Sequence, residues 1–152
     1  MSFQFKKNRE VVYPVVIKLL PEDGKGDLCE FKISTRFKLL TRPEYTAWTT
    51  GDFDFFETKK EDQQKTTSAD EQMLAVLDRL NNSVKEEAQK IRLRELVKRI
   101  KDWDENDVID GDGNPVPFDV NYLIDVIEFS PTYVSAFEMG LIEASRDAPV
   151  KN

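Results

Sequence analysis

Eleven carboxylates stand between Asp102 and Glu143, and no Lys or Arg interrupts them. Acidic residues at that density can hold a divalent cation, act as a paired acid and base, or present a charged surface to a partner. The most suggestive spacing is Asp110-Gly111-Asp112-Gly113-Asn114. With Asp110 at position 1 of a calcium loop, Asp112 and Asn114 fall at positions 3 and 5. Pro115 then occupies position 6, where Gly makes the sharp turn, and Asn121 occupies position 12, where a bidentate Glu closes the shell. A register starting at Asp102 puts Asp107 at position 6 and Gly113 at position 12, so it fails too. Asp-Gly-Asp-Gly-Asn-Pro reads as a turn instead. A magnesium site for phosphoryl transfer would also want a Gly-rich phosphate cradle, and none is visible.

The 152 residues include no His, which excludes Ser-His-Asp and Cys-His catalysis and His-containing zinc sites. The single Cys29 excludes an intramolecular disulfide and a multi-cysteine metal site within one chain, and fits a reducing compartment. The opening MSFQFKKNRE has no apolar run behind its charges, and no stretch approaches a membrane span. The expectation is a soluble, cytoplasmic, non-catalytic protein that takes no metal or cofactor and works by binding.

The net charge of −7 hides a segregation. Lys90 to Lys101 is the most basic stretch, and it directly precedes the acidic interval. Two readings follow: faces that attract each other within the fold, or an acidic surface offered to a basic partner. The candidate partner contacts are Trp103, Asp104, Glu105 and Asp107, at the head of the acidic interval. Trp103 has a structural alternative, in which it brackets the Asp-Gly turn with Phe118 and anchors it to the core. Nucleic acid is disfavoured, because the basic residues of 90–101 spread around a helix axis and the whole chain is acidic.

The elements that must carry these residues can be read from hydrophobic period and turn chemistry. VVYPVVIKLL at 11–20 is β-rich, and Glu-Asp-Gly-Lys-Gly at 22–26 supplies a turn. From Cys29 to Leu39, apolar and polar residues alternate strictly, which predicts a strand with one buried face. Pro14 marks the first strand as an edge or a bulge, and an open edge invites pairing with a second copy. Thr41 to Glu44 forms a capping box for a short helix ending near Gly51, followed by an aromatic knot of Phe53, Phe55 and Phe56. Ser68 to Glu71 forms a second capping box. Beyond it the helical period runs through Leu80 and, after a break or bend near Asn81-Asn82-Ser83, on to Trp103. Asp119 and Ser130-Pro131 start two further helices. The fold class is therefore α+β: an N-terminal antiparallel β-hairpin packed against a mainly α-helical C-terminal two-thirds. One domain is expected: the hairpin over 1–40, the short helix and knot over 41–56, a polar loop over 57–68, a helical part over 69–146 and a tail over 147–152.

Trp103 to Leu123, with DVIDGDGNPVPFDVNYL inside it, resembles the C-terminal signature of phage tail assembly chaperones. In that family an acidic tryptophan-containing segment leads through an Asp-Gly turn and a Pro-Val-Pro-Phe-like element to short helices. Tyr133, Ala136, Phe137 and Ala144 are similar to its closing helix, and the hairpin followed by the capped helix at Thr41 to Glu44 is similar to its front half. The basic stretch before Trp103 is richer in Lys and Arg than the family pattern. The resemblance implies a role in virion assembly in the host-cell cytoplasm, coating a tape measure protein and helping to recruit tail tube protein. The alternative from another class is an acidic inhibitor, a DNA mimic that occupies a DNA-binding enzyme.

Overall fold

The computed structural model describes residues 2–6, 8–58, 78–79 and 86–146. Strands β1 (Glu10–Leu19) and β2 (Cys29–Lys38) pair antiparallel in unbroken register, with Pro14 opposite Ser34 and Ile17 opposite Phe31. Just outside the ladder, the Leu39 N–H donates to the Arg9 carbonyl at 3.1 Å. Residues of β1 with odd numbers therefore turn their backbone groups toward β2, and the even ones, Pro14 among them, face the open edge. Proline has no N–H to offer there, so it blunts the edge that invites pairing.

A third strand joins the sheet where the sequence predicts helix. Helix α3 (Glu87–Arg99) stops at Ile100, whose φ of −88° and ψ of 111° are extended. Residues Ile100–Trp103 then form β3, antiparallel to β2, with a bulge between Arg36 and Phe37. The sheet order is β1-β2-β3. Helical period alone suggests that α3 runs on to Trp103, because Ile100 fits it. Pairing with the second edge of β2 wins, since it satisfies backbone groups on both strands at once. At the other end of α3, Glu86 is extended and precedes the helix.

The remaining helices follow their caps. Helix α1 (Arg42–Thr50) opens on the full capping box, with the Thr41 hydroxyl taking the Glu44 N–H and the Glu44 carboxylate taking the Thr41 N–H. Gly51, at φ 79°, closes it in a left-handed conformation that costs glycine little. Helix α2 (Asp54–Thr58) carries the aromatic knot, in which Phe53 and Phe56 pack edge-on against Trp48. Residues 57 and 58 thus close α2 and do not belong to the polar loop expected over 57–68. The rest of that loop, the Ser68 capping box and the Asn81–Ser83 break lie outside the described residues. Asp119 and Ser130 cap α4 (Val120–Phe129) and α5 (Pro131–Ser145) with their side-chain oxygens.

The helices lie on the odd-numbered face of the hairpin, around a core that includes Val15, Phe37, Leu96, Val97, Leu123, Ile124, Phe137 and Leu141. Helix α5 is pressed closest. A Cβ on Gly140 would lie 3.0 Å from a Val15 methyl carbon and 3.2 Å from the Phe37 ring. Coverage ends part-way along the hairpin. Ile33, Thr35 and Phe37 are buried, whereas Cys29 and Phe31, on the same alternating face, are exposed. The buried face expected from Cys29 to Leu39 is therefore covered only from Ile33 onward; on β1 the cover reaches Ile17, opposite Phe31, so the open arm is the outer part of β2 together with the turn.

Candidate partner-binding surface

The head of the acidic interval is built on β2 and β3. After Trp103, the Asp104 N–H donates to the Ser34 carbonyl at 2.9 Å, and Asp107 returns the contact by accepting the Ser34 N–H at 2.8 Å. Between them a single 3-10 turn, Glu105–Asp107, is capped by the Asp104 carboxylate on the Asn106 N–H. Asp104, Glu105 and Asp107 are all exposed and held on one short ledge. Ile109, next along, is an exposed apolar residue tied by a β-bridge to Pro115. The ledge therefore offers carboxylates beside an aliphatic side chain, a combination suited to a basic amphipathic segment.

Trp103 is placed differently from the three acids. It is buried, its indole N–H donates to the Val116 carbonyl at 2.8 Å, and its ring meets Phe118 edge-on at 4.9 Å. As a partner contact it is corrected: in the folded chain it has no surface to give, and it anchors the ledge and the Asp-Gly turn from beneath. The turn itself closes on Asp110, whose carboxylate accepts the N–H groups of Asp112 and Asn114 at 2.9 and 3.0 Å. Among the described residues no group of three or more His, Cys, Asp or Glu is arranged to hold a metal.

The charge segregation along the chain is partly resolved in space. Arg92 makes a two-pronged pair with Glu138, Arg94 meets Glu57, and Arg79 reaches Asp125 and Glu128, the last at 3.2 Å. The deepest pair is one the reading by composition missed. Arg99 is buried on α3, its guanidinium 2.5 Å from the Glu44 carboxylate of α1. Burial by itself would raise the Glu44 carboxyl. The charge of Arg99 and the hydrogen bonds from Thr41 outweigh it and hold the group at about 2, against an ordinary 4.5. The signal was present: Arg99 lies three residues after Leu96, on the apolar stripe of the helix. Three arginines of the basic stretch, Arg92, Arg94 and Arg99, are thus each paired with a carboxylate of another element.

An open cleft of about 440 Å³ runs along α1 and α2, lined by Arg42, Thr46, Thr50, Asp52 and Phe55. Its hydroxyls and its single cation and carboxylate amount to no recognisable reaction centre. No helix among the described residues is long and apolar enough to cross a membrane. No family model, curated protein or solved structure matches the chain.

Proposed function

We propose that the chain is a non-catalytic assembly chaperone of a phage tail, which binds a tape measure protein in the host-cell cytoplasm and assists assembly of the tail tube. The observation that carries the reading is the ledge. Asp104, Glu105 and Asp107 are displayed together on the 3-10 turn that follows β3 and is tied to Ser34 of β2, with the exposed Ile109 next along the chain and the buried Trp103 just before them. A tape measure protein is a long run of helices whose apolar stripes need cover until assembly, and carboxylates steer such a partner when its stripe is flanked by Lys or Arg. The order of elements supports the same reading: hairpin, capped helix, acidic tryptophan segment, Asp-Gly turn and two closing helices follow one another as in the family the sequence resembles.

The DNA-mimic alternative draws less from this geometry. Asp125, Glu128 and Glu138 already face Arg79 and Arg92, which takes three of the eleven carboxylates out of any continuous phosphate-like row. A phosphate-like surface needs its carboxylates free of cations.

The test is kinetic. A helical fragment of a tape measure protein from the same genome is immobilised, and association is followed for the wild type and for Glu105→Lys with Asp104→Asn. The asparagine keeps an oxygen for the cap, so the ledge stays folded. Association should slow roughly tenfold at low salt with little change in dissociation, and the difference should shrink at about 0.5 M salt. Equal association rates would contradict the reading.

A further inference from the structure

The hairpin tip with the outer part of β2, and the N-terminal segment, are two exposed apolar features at opposite ends of the hairpin. At the tip end, Leu20 and Leu28 are exposed, and Phe31, 52% exposed, continues the face that buries Ile33 and Phe37 nearer the body. At the base end, Phe3 and Phe5 are 86% and 73% exposed. Their spacing of two places both rings on one side of an extended chain, about 7 Å apart, the same repeat that separates neighbouring side chains on the face of a strand. The charges are complementary. Residues 2–9 contain Lys6, Lys7 and Arg9 and no acid, whereas residues 20–30 contain Glu22, Asp23, Asp27 and Glu30 against Lys25 alone. Lys32, 3.9 Å from Glu30, and Lys18, which stands opposite Glu30 on β1, offset part of that negative charge without changing its sign.

We propose that residues 2–9 of one copy dock on the hairpin arm of a second copy, with Phe3 and Phe5 against Leu28 and Phe31 and the basic residues against the acidic turn. The chain's own segment is too short for the task. Phe31 lies level with Ile17, seven residues along β1 from Glu10, or about 23 Å. Phe5 stands five residues before Glu10 and reaches at most about 18 Å. Phe3 would arrive there only as a straight chain with no turn in it, yet it would have to double back. Pairing between the β1 edges of two copies is the poorer way to associate, because Pro14 faces that edge without a donor. The docking proposed here leaves the edge alone and uses the segment before it. It depends on no tape measure protein, so it stands or falls separately from the function proposed above.

The experiment uses the full chain and two variants whose substitutions all fall on exposed residues. One carries Phe3→Ser and Phe5→Ser; the other carries Leu28→Ser and Phe31→Ser. Circular dichroism melts confirm that both fold as the wild type does. In sedimentation velocity the wild type should associate as concentration rises. Each variant should raise the dissociation constant about tenfold or more. The two variants mixed should recover a heterodimer, since one keeps an intact arm and the other an intact segment. A pair in which each copy lends its segment to the other, and a longer row of copies, both satisfy the proposal. A wild type that stays monomeric at about millimolar concentration would overturn it, as would association that both variants retain or a mixture that fails to pair.

Discussion

The two halves of β2 carry the same alternating pattern and meet opposite fates, while on β1 the cover extends out to Ile17. Near the body, Val15 and Phe37 are fully buried beneath α5, where Gly140 lets the helix come close. Toward the tip, Phe31 and Leu28 stand in solvent although they lie on or beside the continuation of the same apolar face. Period two tells which side chains share a face; only another element decides whether that face is core or surface. The same contrast holds for charge. Arg99 and Glu44 are a buried pair locked between α3 and α1, while Arg79 meets Asp125 and Glu128 at the surface. Identical chemistry is structural in one place and nearly neutral in the other.

The largest effect should separate the two halves directly. Phe37→Ala removes a ring from the covered half and should cost about 3–5 kcal/mol, whereas Phe31→Ala on the arm should stay within about 0.5 kcal/mol. Urea unfolding of the two variants checks this, and equal costs would abolish the distinction. Next in size is the response to acid. The Glu44 carboxyl is held at about 2 in the folded chain and returns to about 4.5 on unfolding, so its stabilising contribution is fully present above pH 4.5. It should fade as pH falls from about 4.5 toward 2, by about 3 kcal/mol in all. Glu44→Gln should flatten that part of the stability–pH curve; a curve as steep as the wild type's would show that other carboxylates govern it. Smaller again is Gly140→Ala. Its methyl must displace Val15 and Phe37, at a cost of about 1–3 kcal/mol, and thermal melts should show the loss. A neutral result would mean that α5 sits more loosely on the near half than its geometry states.

What the sequence made legible was local. The capping box at Thr41 and Glu44, the caps at Asp119 and Ser130, the turn at Gly113 and the β1–β2 pairing all depend on residues close together in the chain or on a regular period. Strand β3 was not legible. Ile100 fits the helical stripe of α3, and nothing between Arg99 and Trp103 breaks a helix; the competing partner is β2, more than sixty residues earlier. Trp103 stayed ambiguous for the same reason. Its acidic neighbours suggest surface, but the Val116 carbonyl and the Phe118 ring that bury it come thirteen and fifteen residues later, across a turn. At the ledge itself, sequence supplied the three carboxylates but not what holds them, because the Ser34 peptide that ties Asp104 and Asp107 belongs to another strand.

The functional reading is tested most directly by co-expression. A tape measure protein from the same genome is produced with and without the chain, and the soluble fraction is purified through a tag on the tape measure protein. The partner should be insoluble alone, soluble with the chain present, and recovered together with it at about 0.5 M salt, where apolar cover persists and surface charge is largely screened. A tape measure protein that stays insoluble beside abundant folded chain would contradict the reading.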